Sequence, residues 1–213
     1  MLAIFKREFK SYFQNVIGWL FVAALLAVYG LYFYVYNLKN GYPYISYDLK
    51  GIGFIMMIAV PILTMRSLSD ERKTKTDQLM LTSPVSVGKI VAGKYFAMAA
   101  VYTIDIAIFA LSPLVLSIYG KVALSEAYVA LFGYWLYGLS CIAVGLFISS
   151  ISESVIISAI LTFAALFLSY MMQSITGLIS SSGNLITKVL NCFDLYTPFE
   201  NFVSGCFSVT SAA

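Results

Sequence analysis

The 213-residue sequence is 61% hydrophobic and only 11% charged, with a net charge of +3 and no histidine. Soluble domains carry roughly 25% charged residues, so this composition indicates an integral membrane protein without a separate soluble domain. The lack of histidine excludes Ser–His hydrolases and H-E-x-x-H zinc sites, and the dispersed positive charge argues against a nucleic-acid partner.

The first segment, residues 1–15, is amphipathic. Its apolar side chains recur at helical spacing, opposite basic ones: Leu2, Phe5, Phe9, Tyr12 and Phe13 against Lys6, Arg7 and Lys10. This pattern is typical of a helix that lies in the cytoplasmic membrane interface. The uncharged run 16–36 lacks a convincing signal-peptide cleavage site, so we interpret it as a retained first span.

The second span follows a tyrosine-rich loop at 37–50, of a composition that favours the headgroup layer. It is uncharged only over residues 51–65, which is shorter than the usual ~20 residues. Because Arg66 can extend its charge to the interface, we expect the helix to continue to Ser69, with a kink at Pro61.

Residues 66–94 form the one long polar segment in the first two thirds of the chain. Six of the 13 basic residues lie in it: Arg66, Arg72, Lys73, Lys75, Lys89 and Lys94. Since cytoplasmic loops carry an excess of Lys and Arg, this loop predicts the cytoplasmic face. Residues 76–81 have helix-forming character that ends before Pro84, and a new helix is expected after Ser86; a solvated loop is the alternative.

The same loop carries short motifs in a fixed order: Glu71-Arg72, Thr76-Asp77-Gln78-Leu79-Met80-Leu81, Pro84-Val85-Ser86, Ile90-Val91 and Gly93-Lys94-Tyr95. This series resembles the signature loop of type-2 ABC exporter permeases, a family that includes the gliding-motility-type group. The resemblance implies that residues 76–81 form a coupling helix seated in a cleft of a separate ATPase subunit. It also implies a docking surface, completed by the 1–15 elbow helix and made of Glu71, Arg72, Thr76, Asp77, Leu79, Met80, Leu81 and Pro84.

Three further spans are predicted at about 90–119, within 127–152 and at Val155–Met172. Small residues recur on one side of the last two: Gly138, Cys141, Gly145 and Ser149, then Ser158, Thr162, Ala165 and Ser169. We interpret both stripes as helix-packing surfaces, with a substrate path as the alternative.

Residues 173–213 form an outer segment, for which we expect half-inserted or surface helices. In the resembling family such helices lead into a sixth span, so this chain would hold five of an expected six, and we expect the natural chain to continue past Ala213. Cys192 and Cys206 fall on this outer side, as free thiols or, in an oxidising compartment, as a disulfide.

The distribution of basic residues predicts the orientation. Nine lie in segments 1–15 and 66–94, whereas the other side would carry four: Lys39, Lys50, Lys121 and Lys188. This asymmetry favours a cytoplasmic N-terminus. The resemblance implies a bacterial-type plasma membrane.

Two sequence features bear on chemistry. Residues 88–94 match the G-x-x-x-x-G-K pattern of a phosphate-binding loop, but Tyr95 stands where that loop needs Ser or Thr. We therefore expect ATP and magnesium on the partner ATPase and no cofactor on this chain. Asp105 is the single acid inside a predicted span, so it is either a functional group or a protonated, hydrogen-bonded structural one.

Together these features predict an all-α polytopic membrane protein whose residues 1–213 form one permease domain. The resemblance implies the permease subunit of an ATP-driven ABC exporter, which works in the bilayer as a dimer with an identical or homologous permease and with ATPase subunits. The alternatives are a secondary transporter with Asp105 as its proton or ion site, and a membrane assembly protein that transports nothing.

Overall fold

The computed structural model describes residues 2–75, 86–119, 122–179 and 195–203. Regular structure in these ranges is helical, and none of their residues lies in a strand. The α-helices are α1 (Leu2–Gln14), α2 (Val16–Tyr32), α3 (Ser46–Thr64), α4 (Ser69–Lys73), α5 (Val87–Phe109), α6 (Ser112–Tyr119), α7 (Leu124–Ile151), α8 (Val155–Ile179) and α9 (Tyr196–Val203). A π-helical segment, Phe33–Lys39, continues α2. The predicted all-α architecture is confirmed.

Five helical segments of this described part are long and apolar enough to cross a membrane. We number them spans 1 to 5: Val16–Lys39, Ser46–Lys73, Val87–Tyr119, Leu124–Ile151 and Val155–Met172. The shortest has 18 residues, and at 1.5 Å per residue it extends about 27 Å, close to the thickness of the hydrocarbon core. The five spans that the sequence predicted are confirmed.

Span 2 differs from its prediction at both ends. It begins at Ser46, inside the predicted 37–50 loop. Its other end does not run as one helix to Ser69, because turns at 65–68 separate α3 from α4. The N–H groups of Leu68 and Ser69 bond to the Ser149 hydroxyl instead of to preceding carbonyls, which starts α4 as a separate helix.

Span 3 is also divided, between α5 and α6. Pro113 is the second residue of α6 and has no N–H for the Phe109 carbonyl, which its ring would also crowd. The Ser112 hydroxyl donates a hydrogen bond to that carbonyl at 2.7 Å, so the break leaves the carbonyl paired. The span predicted at about 90–119 is present as Val87–Tyr119, and it consists of two helices that meet just before this proline.

The core lies around α3, which packs against α2, α7 and α8. The small residues of span 4 face this core rather than an open path. A side-chain carbon at Gly138 would overlap the Tyr102 ring, one at Gly145 would overlap Thr64, and Cys141 is fully buried. Of the stripe on span 5, Ser158, Thr162 and Ser169 are buried. The contacts fit the interpretation of the stripes as packing surfaces.

Helix α9 lies against the end of the bundle far from α4. Its Phe199 ring packs 5.2 Å from the Tyr137 ring and 5.7 Å from the Tyr134 ring, measured between centroids. Lys50 and Glu200 form an ion pair at 3.1 Å beside this aromatic cluster. One short helix is therefore present in the predicted outer segment, and the helix of span 5 continues to Ile179, past its predicted end at Met172.

Candidate functional site

The predicted docking residues fall into two groups. Those outside the described residues are Thr76, Asp77, Leu79, Met80, Leu81 and Pro84. Glu71 and Arg72 lie on α4, which ends just before this segment. Lys75 takes a left-handed backbone with φ 56°, so the helical path stops there. After the segment, Ser86 has the extended conformation of an N-cap and α5 begins at Val87, as the sequence predicted.

Helix α4 is fixed at its start by a side chain from span 4. The Ser149 hydroxyl accepts hydrogen bonds from the N–H groups of Leu68 and Ser69, both at 3.2 Å. The Ser69 hydroxyl in turn donates to the Ser149 carbonyl at 3.1 Å. Since the first N–H groups of a helix have no partner within it, Ser149 acts as an N-cap supplied from another helix.

Arg72 connects α4 to the end of span 4. Its guanidinium donates a hydrogen bond at 3.0 Å to the carbonyl of Ile151, the last residue of α7. Carbonyls at a helix C-terminus lack partners within the helix and carry partial negative charge, so a cation is stabilising there. This contact holds α4, the last part of span 2, against the end of span 4.

Glu71 contacts a different element, Lys94 on α5. The Lys94 ammonium is buried, with 2% of the side chain exposed. It donates to the Glu71 carboxylate at 2.7 Å and to the Ser67 carbonyl at 2.8 Å. A buried charge is tolerated only when it is paired and hydrogen-bonded, and here span 2 provides both partners.

Helix α1 reaches the same ammonium. The Glu8 carboxylate lies 3.6 Å from Lys94 and 2.7 Å from the Arg7 guanidinium. One turn further on, the Tyr12 hydroxyl donates to the Leu63 carbonyl at 3.4 Å. Burial, together with the nearby Glu8 carboxylate, raises the pKa of Tyr12 well above its ordinary value, so this hydroxyl stays a neutral donor at physiological pH.

A groove of about 550 Å³ opens between α1 and the turn that joins α3 to α4. Its charged lining has both signs: Arg7, Arg66 and Lys94 with Glu8, Asp70 and Glu71. Arg66, in the turn before α4, pairs at 3.8 Å with Asp70, four residues further along. Because three positive and three negative side chains line the groove, it is complementary to a polar surface that carries both charges. It is less complementary to a single anion or cation.

Asp105 lies elsewhere, in the interior of the bundle on α5. The side chain is fully buried, and neither carboxylate oxygen has a hydrogen-bond partner among the residues that the structure describes. The same holds for the Tyr134 hydroxyl on span 4. Asp105 is thus not part of the group formed by Glu71 and Arg72.

A second buried acid corrects the sequence interpretation of Asp105 as the single acid in a span. Asp48 lies in the first turn of α3, within span 2, is fully buried and accepts a hydrogen bond from the Asn37 side chain. The uncharged run that marks span 2 begins at residue 51, which predicts Asp48 in the loop before it. A carboxylate in a first helical turn is favoured by the helix dipole, and this signal could have placed it.

Three residues of the α4 end are not among the predicted docking residues: Glu8, Lys94 and Ser149. Glu8 is the one acid in the basic segment 1–15, Ser149 belongs to a stripe of small residues, and Lys94 lies in both the Gly93-Lys94-Tyr95 motif and the phosphate-loop pattern. Each gains its role from a residue more than 20 positions away, which local pattern does not reveal.

The comparisons with known proteins identify the family. A family model described as "ABC-2 family transporter protein" matches residues 31–210, which include spans 2 to 5, α4 and the 66–94 loop. Searches among curated proteins and solved structures found no match. With five apolar helices of membrane-spanning length in its described part and a family match over most of its length, the chain belongs to the ABC-2 transporter family and is a membrane permease of an ABC transporter.

Proposed function

We propose that this permease is the membrane-spanning subunit of an ATP-driven exporter, and that a separate ATPase subunit docks on the α4 end of the bundle. The observation that carries the proposal is the anchoring of α4. This five-residue helix leads directly into residues 76–81 and is held by Ser149 and the Ile151 carbonyl on span 4 and by Lys94 on span 3. A force applied to the loop therefore acts on several spans at once.

In this proposal the segment 76–81 is the coupling helix, with Leu79, Met80 and Leu81 as its apolar side and Thr76, Asp77 and Pro84 shaping its ends. Glu71 and Arg72 set its approach, and the groove beside α1 adds a polar surface for the ATPase. ATP-driven closure of two ATPase subunits would then bias the permease between inward and outward access. ATP and magnesium are held by the partner, and this chain carries out no hydrolysis.

The functional unit is proposed to be a pair of permeases, identical or homologous, in a bacterial-type plasma membrane. The α4 end and the N-terminus face the cytoplasm, because nine of the 13 basic residues lie there. Spans 1 and 5 carry many exposed apolar side chains, among them Leu31 and Ile160, which suits contact with lipid or with the second permease.

Copurification tests the proposal. A tagged permease extracted from its native membrane should bring down a polypeptide with a complete phosphate-binding loop, identified by mass spectrometry, and the complex should hydrolyse ATP. A matched permease in which residues 76–81 are replaced by Gly and Ser should insert normally and lose that polypeptide. If the unaltered permease purifies without any ATPase, the proposal fails.

Asp105 supports a second candidate function, ion-coupled transport. Its buried carboxylate and the Tyr134 hydroxyl have no hydrogen-bond partner among the residues that the structure describes. Asp105→Asn separates the two. We expect the variant to keep ATPase copurification and ATP hydrolysis, since a neutral isostere removes only a charge that is costly within a bilayer. Loss of a proton-gradient-dependent activity, with ATPase binding absent in both proteins, would favour the ion-coupled candidate.

A further inference from the structure

Lys94 connects α1, the α4 region and span 3. It lies near the start of span 3, and its ammonium contacts Glu71 on α4, the Ser67 carbonyl in the turn before α4, and Glu8 on α1. An ammonium has three N–H donors, and two of them are used by Ser67 and Glu71. Glu8 at 3.6 Å completes the surrounding negative charge.

Packing alone does not explain a charge at this position. The Lys94 side chain is 2% exposed, and an apolar side chain of similar length would fill the same space without the cost of burying an ion. An ammonium adds directional hydrogen bonds. These bonds form only when α4 and the turn before it occupy one position relative to span 3. Buried ion pairs of this kind are best attested as devices that fix register.

The neighbouring residue provides an independent sign that α1 and span 3 are held together here. Gly93 lets α1 approach closely, since a side-chain carbon on it would lie only 3.0 Å from a methyl group of Ile4. Helix α1 therefore crosses α5 at residues 93 and 94. Apolar contact permits the crossing, and the pair between Glu8 and Lys94 fixes its position along the helix.

We propose that Lys94 is a positioning residue for coupling: it fastens α1 and α4 to span 3, so that these three elements move as one body. A displacement of the 76–81 segment would then reach span 3 through Glu71 and the α1 helix through Glu8. The coupling role rests on the proposed function, whereas the fastening is a property of the permease by itself and is measurable without a partner.

The fastening is tested by electron paramagnetic resonance on the full-length permease. Spin labels are placed at Lys10→Cys on α1 and Lys89→Cys on α5, two exposed positions, in a chain whose own cysteines are replaced. The unaltered permease should give one narrow distance distribution. Lys94→Met and Glu8→Gln should broaden it, and the double variant should be no broader than Lys94→Met, because Glu8 acts through Lys94.

Glu8→Gln is the sharper variant, since it leaves the buried pair between Lys94 and Glu71 intact and so avoids a failure to fold. Lys73→Met, which removes an exposed lysine from α4, is the matched control and should leave the distribution narrow. Unchanged distributions in both Lys94→Met and Glu8→Gln would overturn the inference.

The coupling role is tested on the permease–ATPase complex with the same variants. Because Glu8 also lines the groove proposed as part of the docking surface, the complexes are compared at equal amounts of bound ATPase. We expect Glu8→Gln to leave the KM for ATP unchanged, while kcat for permease-dependent ATP hydrolysis falls about twofold or more, the lower end for substitutions that change the coupling between sites. A kcat equal to that of the unaltered complex would contradict the role. If no ATPase binds the unaltered permease, the proposed function fails, whereas the spin-label result still decides the fastening.

Discussion

Ser149 carries two roles that its sequence context shows only in part. It lies on the small-residue stripe of span 4, and its hydroxyl also accepts hydrogen bonds from the N–H groups of Leu68 and Ser69. Removing the hydroxyl leaves the buried Ser69 N–H and the partly buried Leu68 N–H unpaired, so Ser149→Ala should lower the free energy of unfolding by about 1–3 kcal/mol. The measurement is the thermal midpoint in detergent. Ser150→Ala, one position along on the exposed side, is the control, and equal midpoints would refute the cap.

At the residue scale, the sequence indicates which residues are important, but it does not indicate which residue each of them contacts. Glu71 and Arg72 are neighbours in one motif, and the carboxylate of Glu71 binds Lys94 while Arg72 donates to the carbonyl of Ile151. Residues adjacent in a helix point about 100° apart, so neighbours in a motif reach different elements. Which partner each finds depends on how spans 3 and 4 pack, and motif spacing does not contain that information.

At the scale of elements, span 4 packs closely against spans 2 and 3, and a glycine permits the approach at position 138. A Leu at position 138 would overlap the Tyr102 ring, which is itself fully buried, so Gly138→Leu should destabilise the bundle by about 1–3 kcal/mol or more. Gly30→Leu is the matched control, because nothing lies within 4 Å of a side-chain carbon there. Thermal unfolding of both variants in detergent tests this, and equal losses would show that close approach at Gly138 is not the cause.

Element existence was predictable, and element boundaries were less so. The thickness of the hydrocarbon core sets the length and the apolar character of a span. An uncharged run of about 20 residues is therefore enough to predict one. The break at 65–68 differs from the expected helix to Ser69, because the Ser149 hydroxyl of another helix pairs with the backbone N–H groups there. Such pairing exists only after the chain has folded.

For the whole molecule, the distribution of basic residues predicts which end faces the cytoplasm. A cysteine at Lys75, beside α4, should react with a membrane-impermeant maleimide only after cells are permeabilised, whereas Tyr119→Cys, at the other end of span 3 and 80% exposed, should react in intact cells. Both are made in the same cysteine-free chain and compared by mass shift on a gel. Strong labelling of position 75 in intact cells would reverse the orientation and place the docking surface outside.

The central claim is that residues 76–81 engage an ATPase, and one pull-down tests it most directly. Truncating a central anchor of an interface typically costs more than about 1–2 kcal/mol, and two buried carboxylates cost more still. Leu79→Asp combined with Leu81→Asp should therefore abolish ATPase copurification at equal expression and leave membrane insertion intact. Lys75→Ala, expected at the solvated rim, should bind nearly as well as the unaltered permease. Full ATPase binding by the double aspartate variant would contradict the account.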